Sequence, residues 1–245
     1  MGKLMKIFLI AATLLAILAV LLIAGLFYSV YQAVQPPQEF KVLEAKIIDD
    51  NGYPSLLVKF KTSKYPLDFF LYDMFGREVC WQQATRGESA IALSLVGMNP
   101  YTNIVGERNY MLKVFYLNNL IYEQDIRVQG VKPVIELVGV EVKKEEILGK
   151  TCYSIEYLKV RVRNEGDTPL YINNLNTHVL IDSESASVVV GGSIKTILPG
   201  EQKTIVLDIL DKHIEKPQVI VELIIDGDLS DIDRVFTIDL ENYVS

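Results

Sequence analysis

Residues 7–30, IFLIAATLLAILAVLLIAGLFYSV, carry no charge over 24 positions. An uncharged apolar run of this length is the pattern of a membrane-spanning helix, which pairs its backbone N–H and C=O groups within itself. At ~1.5 Å per residue it reaches about 36 Å, enough to cross a hydrocarbon core of ~30 Å with some tilt. A secretory leader has a shorter apolar stretch of ~7–15 residues, with small residues before the cut. Here the nearest candidate cut, after Ala33, has the bulky Tyr31 two positions before it, and no cysteine marks a lipoprotein cut. An uncleaved anchor over residues 1–34 is therefore expected, with the lipid bilayer as the partner of residues 7–30. Lys3 and Lys6 precede the run, whereas Tyr28, Tyr31, Gln32, Gln35 and Gln38 follow it. Positive flanks stay on the cytoplasmic side and tyrosines favour the interface, so residues 39–245 are expected to be extracytoplasmic. Gln35-Pro36-Pro37-Gln38 gives a short stiff spacer over residues 35–39, because paired prolines favour extended geometry.

Beyond the spacer the apolar period changes from all-round to two. Leu158, Val160 and Val162 alternate with Lys159, Arg161 and Arg163, and Ile205, Leu207 and Ile209 alternate with Thr204, Val206 and Asp208. Period two with β-branched residues predicts half-buried strands. Turn residues punctuate them at Asp50-Asn51-Gly52, Gly76, Asn118-Asn119, Asn164-Glu165-Gly166-Asp167, Pro199-Gly200 and Asp226-Gly227-Asp228. The pattern predicts an all-β chain behind one transmembrane helix, as two tandem immunoglobulin-like sandwiches over residues 40–131 and 132–245. Gly130-Val131-Lys132-Pro133 marks the boundary. In the first domain strands are expected near 40–49, 55–62, 67–74, 77–83, 89–96, 109–117 and 120–128. In the second they are expected near 134–143, 153–163, 169–181, 186–190, 193–198, 202–209, 217–225 and 233–240, with a helical turn over 210–216. Tyr110, before the strand 111–117, stands where a tyrosine corner would tie its hydroxyl to the preceding turn.

Charge separates the two halves. Residues 39–131 hold 10 bases and 11 acids, net −1; residues 132–245 hold 12 and 20, net −8. An acidic surface repels phosphate backbones, which excludes nucleic acid as an expected partner. Cys80 and Cys152 fall in different predicted domains. They are expected to be free thiols; a disulfide between them would staple the domains together.

The stretch from Val160 onward, VRVRNEGDTPLYINNLNTHVLIDSESASVVVGGSIKTILPGEQKTIVLDI, has a strand, the Asn164 turn, Pro169-Leu170, a strand, Gly192, and then Leu198-Pro199-Gly200 before another alternating strand. It resembles the water-stress-hypersensitivity domain of group-2 late-embryogenesis-abundant proteins over about 50 residues. That family has Asn-Pro-Asn at the turn. The Asn164-Glu165-Gly166-Asp167 found here is closer to CARDB-type adhesion modules. Either resemblance implies an immunoglobulin-like sandwich in which Asn164, Gly166 and Pro169 are structural, and neither supplies catalytic residues.

Reactive constellations are sparse. The two histidines, His178 and His213, are distant from both cysteines in sequence, and no Gly-x-Ser-x-Gly occurs. Asp226, Asp228, Asp231 and Asp233, in DGDLSDID, form a candidate calcium set of hard oxygen ligands. In the EF-hand register Asp231 takes the place of the glycine and Thr237 that of the glutamate, so the competing reading is a solvated hairpin. Tyr65, Phe69, Phe70, Tyr72, Phe75 and Trp81 are either core or an exposed face, with core expected. No enzyme and no cofactor are expected. The sequence points to a structural or interaction protein of the cell surface, with an envelope or surface-layer protein as its partner. A ligand- or calcium-binding ectodomain and an envelope stress-protection protein are the alternatives.

Overall fold

The computed structural model describes residues 2–210 and 212–244, with side chains from Thr13 onward among the helical residues. Helix α1 spans Lys3–Val34 and ends where Gln35 turns extended before Pro36 and Pro37. Its described part, Thr13–Val34, is long and apolar enough to cross a membrane, at mean hydropathy 2.5, and none of its apolar window is buried against the rest of the protein. The side chains of residues 7–12 of the expected span lie outside the described residues.

The rest is mainly β, in two bodies. The first contains β1 (Lys41–Asp50), β2 (Tyr53–Lys61), β3 (Leu67–Asp73), β4 (Glu78–Ala84), β5 (Ala90–Ser94), β6 (Arg108–Tyr116) and β7 (Asn119–Val128). One sheet runs β1-β2-β5 and the other β4-β3-β6-β7. Their inner faces supply a shared core: Leu56, Val58, Phe60, Ile91 and Leu93 from one, and Leu67, Phe69, Leu71, Leu112 and Val114 from the other. Alternation makes this possible, since successive side chains on a strand point to opposite faces. Truncating one of the leucines or phenylalanines among them to alanine is expected to cost about 2–5 kcal/mol.

The β6–β7 hairpin departs from expectation. Its tip is Leu117-Asn118, at φ 47° and 65°, rather than Asn118-Asn119. A register shift between Val114 and Phe115 brings Tyr116 opposite Asn119, which leaves two residues for the turn.

The second body contains β8 (Pro133–Ile147), β9 (Lys150–Asn164), β10 (Leu170–Ile172), β11 (Thr177–Ile181), β12 (Glu184–Val190), β13 (Lys195–Ile197), β14 (Gln202–Leu210), β15 (His213–Ile214), β16 (Gln218–Ile225) and β17 (Ile232–Asp239), then a 3-10 turn over Leu240–Tyr243. The large sheet runs β15-β9-β14-β12-β11-β16-β17, with β8 on the other edge of β9. Strand β12 changes partners along its length: Glu184 to Ala186 pair with β11, and Ser187 to Val190 with β14. It thereby turns the sheet over a core of Leu158, Val160, Val162, Ile205, Leu207, Val221 and Leu223. Two expectations are corrected here. Residues 169–181 form two strands, because the Asn173 and Asn176 side chains accept from the backbone N–H groups of Leu175 and Asn173 (2.8 and 2.9 Å) and turn the chain between them. The segment expected as a helical turn contains β15 instead, where Ile214 is buried beside Tyr153 of β9.

Candidate functional site

The two bodies meet end to end at residues 129–132, and the joint is built from buried polar groups. Asn103, in the β5–β6 loop, is buried. Its amide donates to the carbonyls of Tyr171 and Asp226, both at 3.0 Å, and its Oδ1 accepts from Tyr171 N at 2.8 Å. Tyr171 of β10 is also fully buried. Its ring lies edge-on to Tyr101 at 5.7 Å, and its hydroxyl donates to Asp49 Oδ1 at 2.8 Å. Burial, and then the Asp49 carboxylate, push the Tyr171 phenol well above its ordinary value. Asp228 reaches back into the first body. Its Oδ1 accepts from Val105 N at 3.2 Å and from the Arg108 guanidinium, with which it forms an ion pair.

Glycines allow the close approach. A Cβ on Gly130 would lie 2.5 Å from Ile104 O, and one on Gly166 would lie 2.0 Å from Gly130 O. Both positions have backbone where a side chain would go.

This joint accounts for several residues singled out in the sequence. Asn164 is buried and uses its whole amide: Nδ2 donates to Thr168 O (2.7 Å) and Ile197 O (3.1 Å), while Oδ1 accepts from Gly166 N (3.0 Å) and Lys132 N (3.4 Å). Its turn is thus a clamp on the linker as well as a bend. Asp167 strengthens the clamp by accepting from the N–H groups of Gln129 and Gly130. Pro169 is buried at the end of the same turn. Tyr110 is buried, and its hydroxyl donates to Leu95 O at 3.1 Å, tying β6 to the end of β5 rather than to the turn just before it. Burial raises its pKa. Cys80 is half-buried on β4 and Cys152 is buried on β9, and both are free.

The four aspartates weighed as a calcium set do not form a carboxylate cluster: among the described residues no three His, Cys, Asp or Glu side chains come together. Asp228 is taken by Arg108, Asp226 faces His178 Nε2 at 3.1 Å, and Asp233 lies on β17 opposite Ile224. The segment serves instead as the β16–β17 connection that docks on the first body. Elsewhere, Ser154 has His213 Nδ1 3.5 Å away. It sits within β9, however, and a regular strand lacks the sharp turn that presents a nucleophile.

The aromatic cluster divides between core and surface. Phe69 is core, whereas Phe70 and Tyr72 of β3 point outward. Phe70 is central to an outer face: Phe115 lies 5.5 Å away edge-on, Tyr72 6.1 Å and Trp81 6.2 Å, with Trp81 49% exposed. Lys113 Nζ stands 5.6 Å from the Tyr72 ring centre. Large rings with polar neighbours on an exposed face suit contact with another macromolecule. A cleft of about 690 Å³ adjoins this face, lined by Tyr72, Met74, Met111 and Asp125. Another of about 470 Å³ lies beside the joint between Tyr101, Leu175 and Ile194.

No family model matches the chain, and no curated protein matches it. Among solved structures it is similar to a biofilm-associated protein BSP domain, at 8% identity and TM-score 0.26, over 80% of this chain and 29% of that one. It is also similar to the YadV chaperone, at 10% identity and TM-score 0.23, over 82% of this chain and 100% of that one. The chain thus spans less than a third of the biofilm-associated protein. Similarity at these scores supports neither a shared fold nor a shared activity.

Proposed function

We propose that the protein is a membrane-anchored extracytoplasmic spacer. Helix α1 holds it in the bilayer. Two immunoglobulin-like sandwiches, locked end to end, carry the aromatic face and an acidic distal half outward to an envelope or surface-layer protein. The work is surface contact rather than catalysis.

The observation that carries this reading is the uncovered helix. An apolar segment of this length with no protein packed on it leaves a large apolar surface facing solvent unless lipid covers it. Full-length protein with a C-terminal tag is expected to stay with membranes through an alkaline carbonate wash and to keep its N-terminal residues by mass spectrometry. Protease treatment of whole cells is expected to remove the tag. Release by carbonate, a new N-terminus after Ala33, or a protected tag on intact cells overturns the proposal.

A further inference from the structure

The end of the first body that meets the helix differs chemically from the rest of the protein. Lys64 Nζ donates to Gln35 O at 2.7 Å and also to Gln32 O, and the Tyr116 hydroxyl donates to Ala33 O. The last carbonyls of a helix have no partner within it and carry the negative end of its dipole, so a lysine is well placed there. These contacts fix the body's near end against the residues that close the apolar helix. Strand pairing brings the 62–66, 85–89 and 117–118 connections to that same end.

Lys41, Lys61, Lys64 and Arg86 lie there with Glu39, Asp68 and Glu88, four bases to three acids, in an extracytoplasmic part that is net −9. All three acids are engaged: Glu39 pairs with Lys61 at 3.5 Å, Asp68 accepts from Gln83 Nε2 at 2.8 Å, and Glu88 accepts from Thr85. The hairpin tip beside Tyr116 carries Leu117, 46% exposed, and Leu120, 48% exposed. Leu117 holds φ 47°, a conformation that costs a bulky side chain energy and that asparagine or glycine would adopt more easily.

We infer that this end is a docking collar for anionic lipid headgroups, with Lys41, Lys61 and Arg86 facing the phosphates and Leu117 and Leu120 entering the interfacial layer. It rests on the anchoring proposed above. Basic side chains next to a span are attracted by an anionic surface within about a Debye length, and apolar groups add to that attraction. The acidic distal half is repelled by the same surface, so the collar would also set the tilt of the whole molecule.

The test uses full-length protein in vesicles whose acyl chains are brominated and quench tryptophan. Trp81→Phe removes the native signal, and Leu117→Trp or Leu18→Trp then reports on the collar or on the span. The Leu117→Trp reporter is expected to be quenched about twofold more with about 30 mol% phosphatidylglycerol than with phosphatidylcholine alone. Lys41→Glu, Lys61→Glu and Arg86→Glu together are expected to erase that difference and leave Leu18→Trp unchanged. A quenched span reporter with an unquenched collar reporter overturns the collar and leaves the anchor standing. Equal collar quenching in both lipids also overturns it, because headgroup charge would then play no part. An unquenched span reporter removes the anchor and the collar with it.

Discussion

Asn103 and Asn164 are buried amides, and each has both amide protons and its carbonyl oxygen engaged. A buried amide left unpaired costs roughly 1–3 kcal/mol, so complete pairing is what allows them in these positions. Tyr171 completes the set, and its environment gives a pH dependence with a definite sign. The folded protein holds the phenolic proton to higher pH than the unfolded chain, whose tyrosines release theirs near ~10. That contribution to stability is therefore full below about pH 10 and is lost as pH rises above it. Tyr171→Phe is expected to cost about 1 kcal/mol at neutral pH through loss of the bond to Asp49. It should also flatten the alkaline fall in stability without abolishing it, since buried Tyr110 is shifted the same way. Denaturant melts of both proteins from neutral to strongly alkaline pH check this; parallel curves would show that Tyr171 does not govern the fall. Asn164 was visible in the sequence because asparagine before Glu-Gly-Asp is turn chemistry. Asn103 was not, because its partners lie 68 and 123 residues away and nothing local to it encodes them.

At the scale of elements, alternation of apolar and polar residues located nearly every strand, because a strand with one buried face repeats every two residues. What it missed came from side chains competing with the backbone and from register. Asn173 and Asn176 divide an apolar run into β10 and β11 by bonding to nearby N–H groups, while a register shift moves the β6–β7 tip by one residue. The change of partners along β12 has no periodic signature, since both halves keep the same alternation. The Asn164–Asp167 turn was legible as a bend, but its grip on the linker was not. That grip predicts an unequal response to a single methyl group. Gly166→Ala places a Cβ against Gly130 O and Lys132 N, so backbone must move, at about 1–3 kcal/mol. Gly139→Ala on β8 meets only the Lys159 side chain at 3.6 Å, an ordinary contact, and is expected to be near neutral. Thermal melts of the two variants that coincide would remove the clamp as a source of stability.

For the whole molecule, strand pairing orders the parts as helix, first body, joint and second body, with the helix contacts and the joint at opposite ends of the first body. Such an arrangement transmits orientation only if the joint is stiff, and a linker of a few residues does not make it so by itself. The contacts around it do: Val131 N donates to Ile104 O, Glu165 N to Lys132 O and Asp228 N to Asn103 O, all within 3.0 Å. Removing the polar side chains should therefore release the joint before either core melts. Asn103→Ala with Asp228→Ala deletes the amide hub and strips Arg108 of its carboxylate; Arg108 Nε already lies buried without a partner. Each loss is worth about 1–3 kcal/mol, enough to raise the open population of the linker tenfold or more if opening breaks these bonds. Elastase should then cut at Val131 at least about tenfold faster than in the unaltered protein, releasing two fragments while each body keeps its melting temperature. Cleavage at an unchanged rate would mean that the bodies are held by the buried backbone alone, and the aromatic face and acidic end would owe their fixed relation to residues 129–132 rather than to the side chains packed around them.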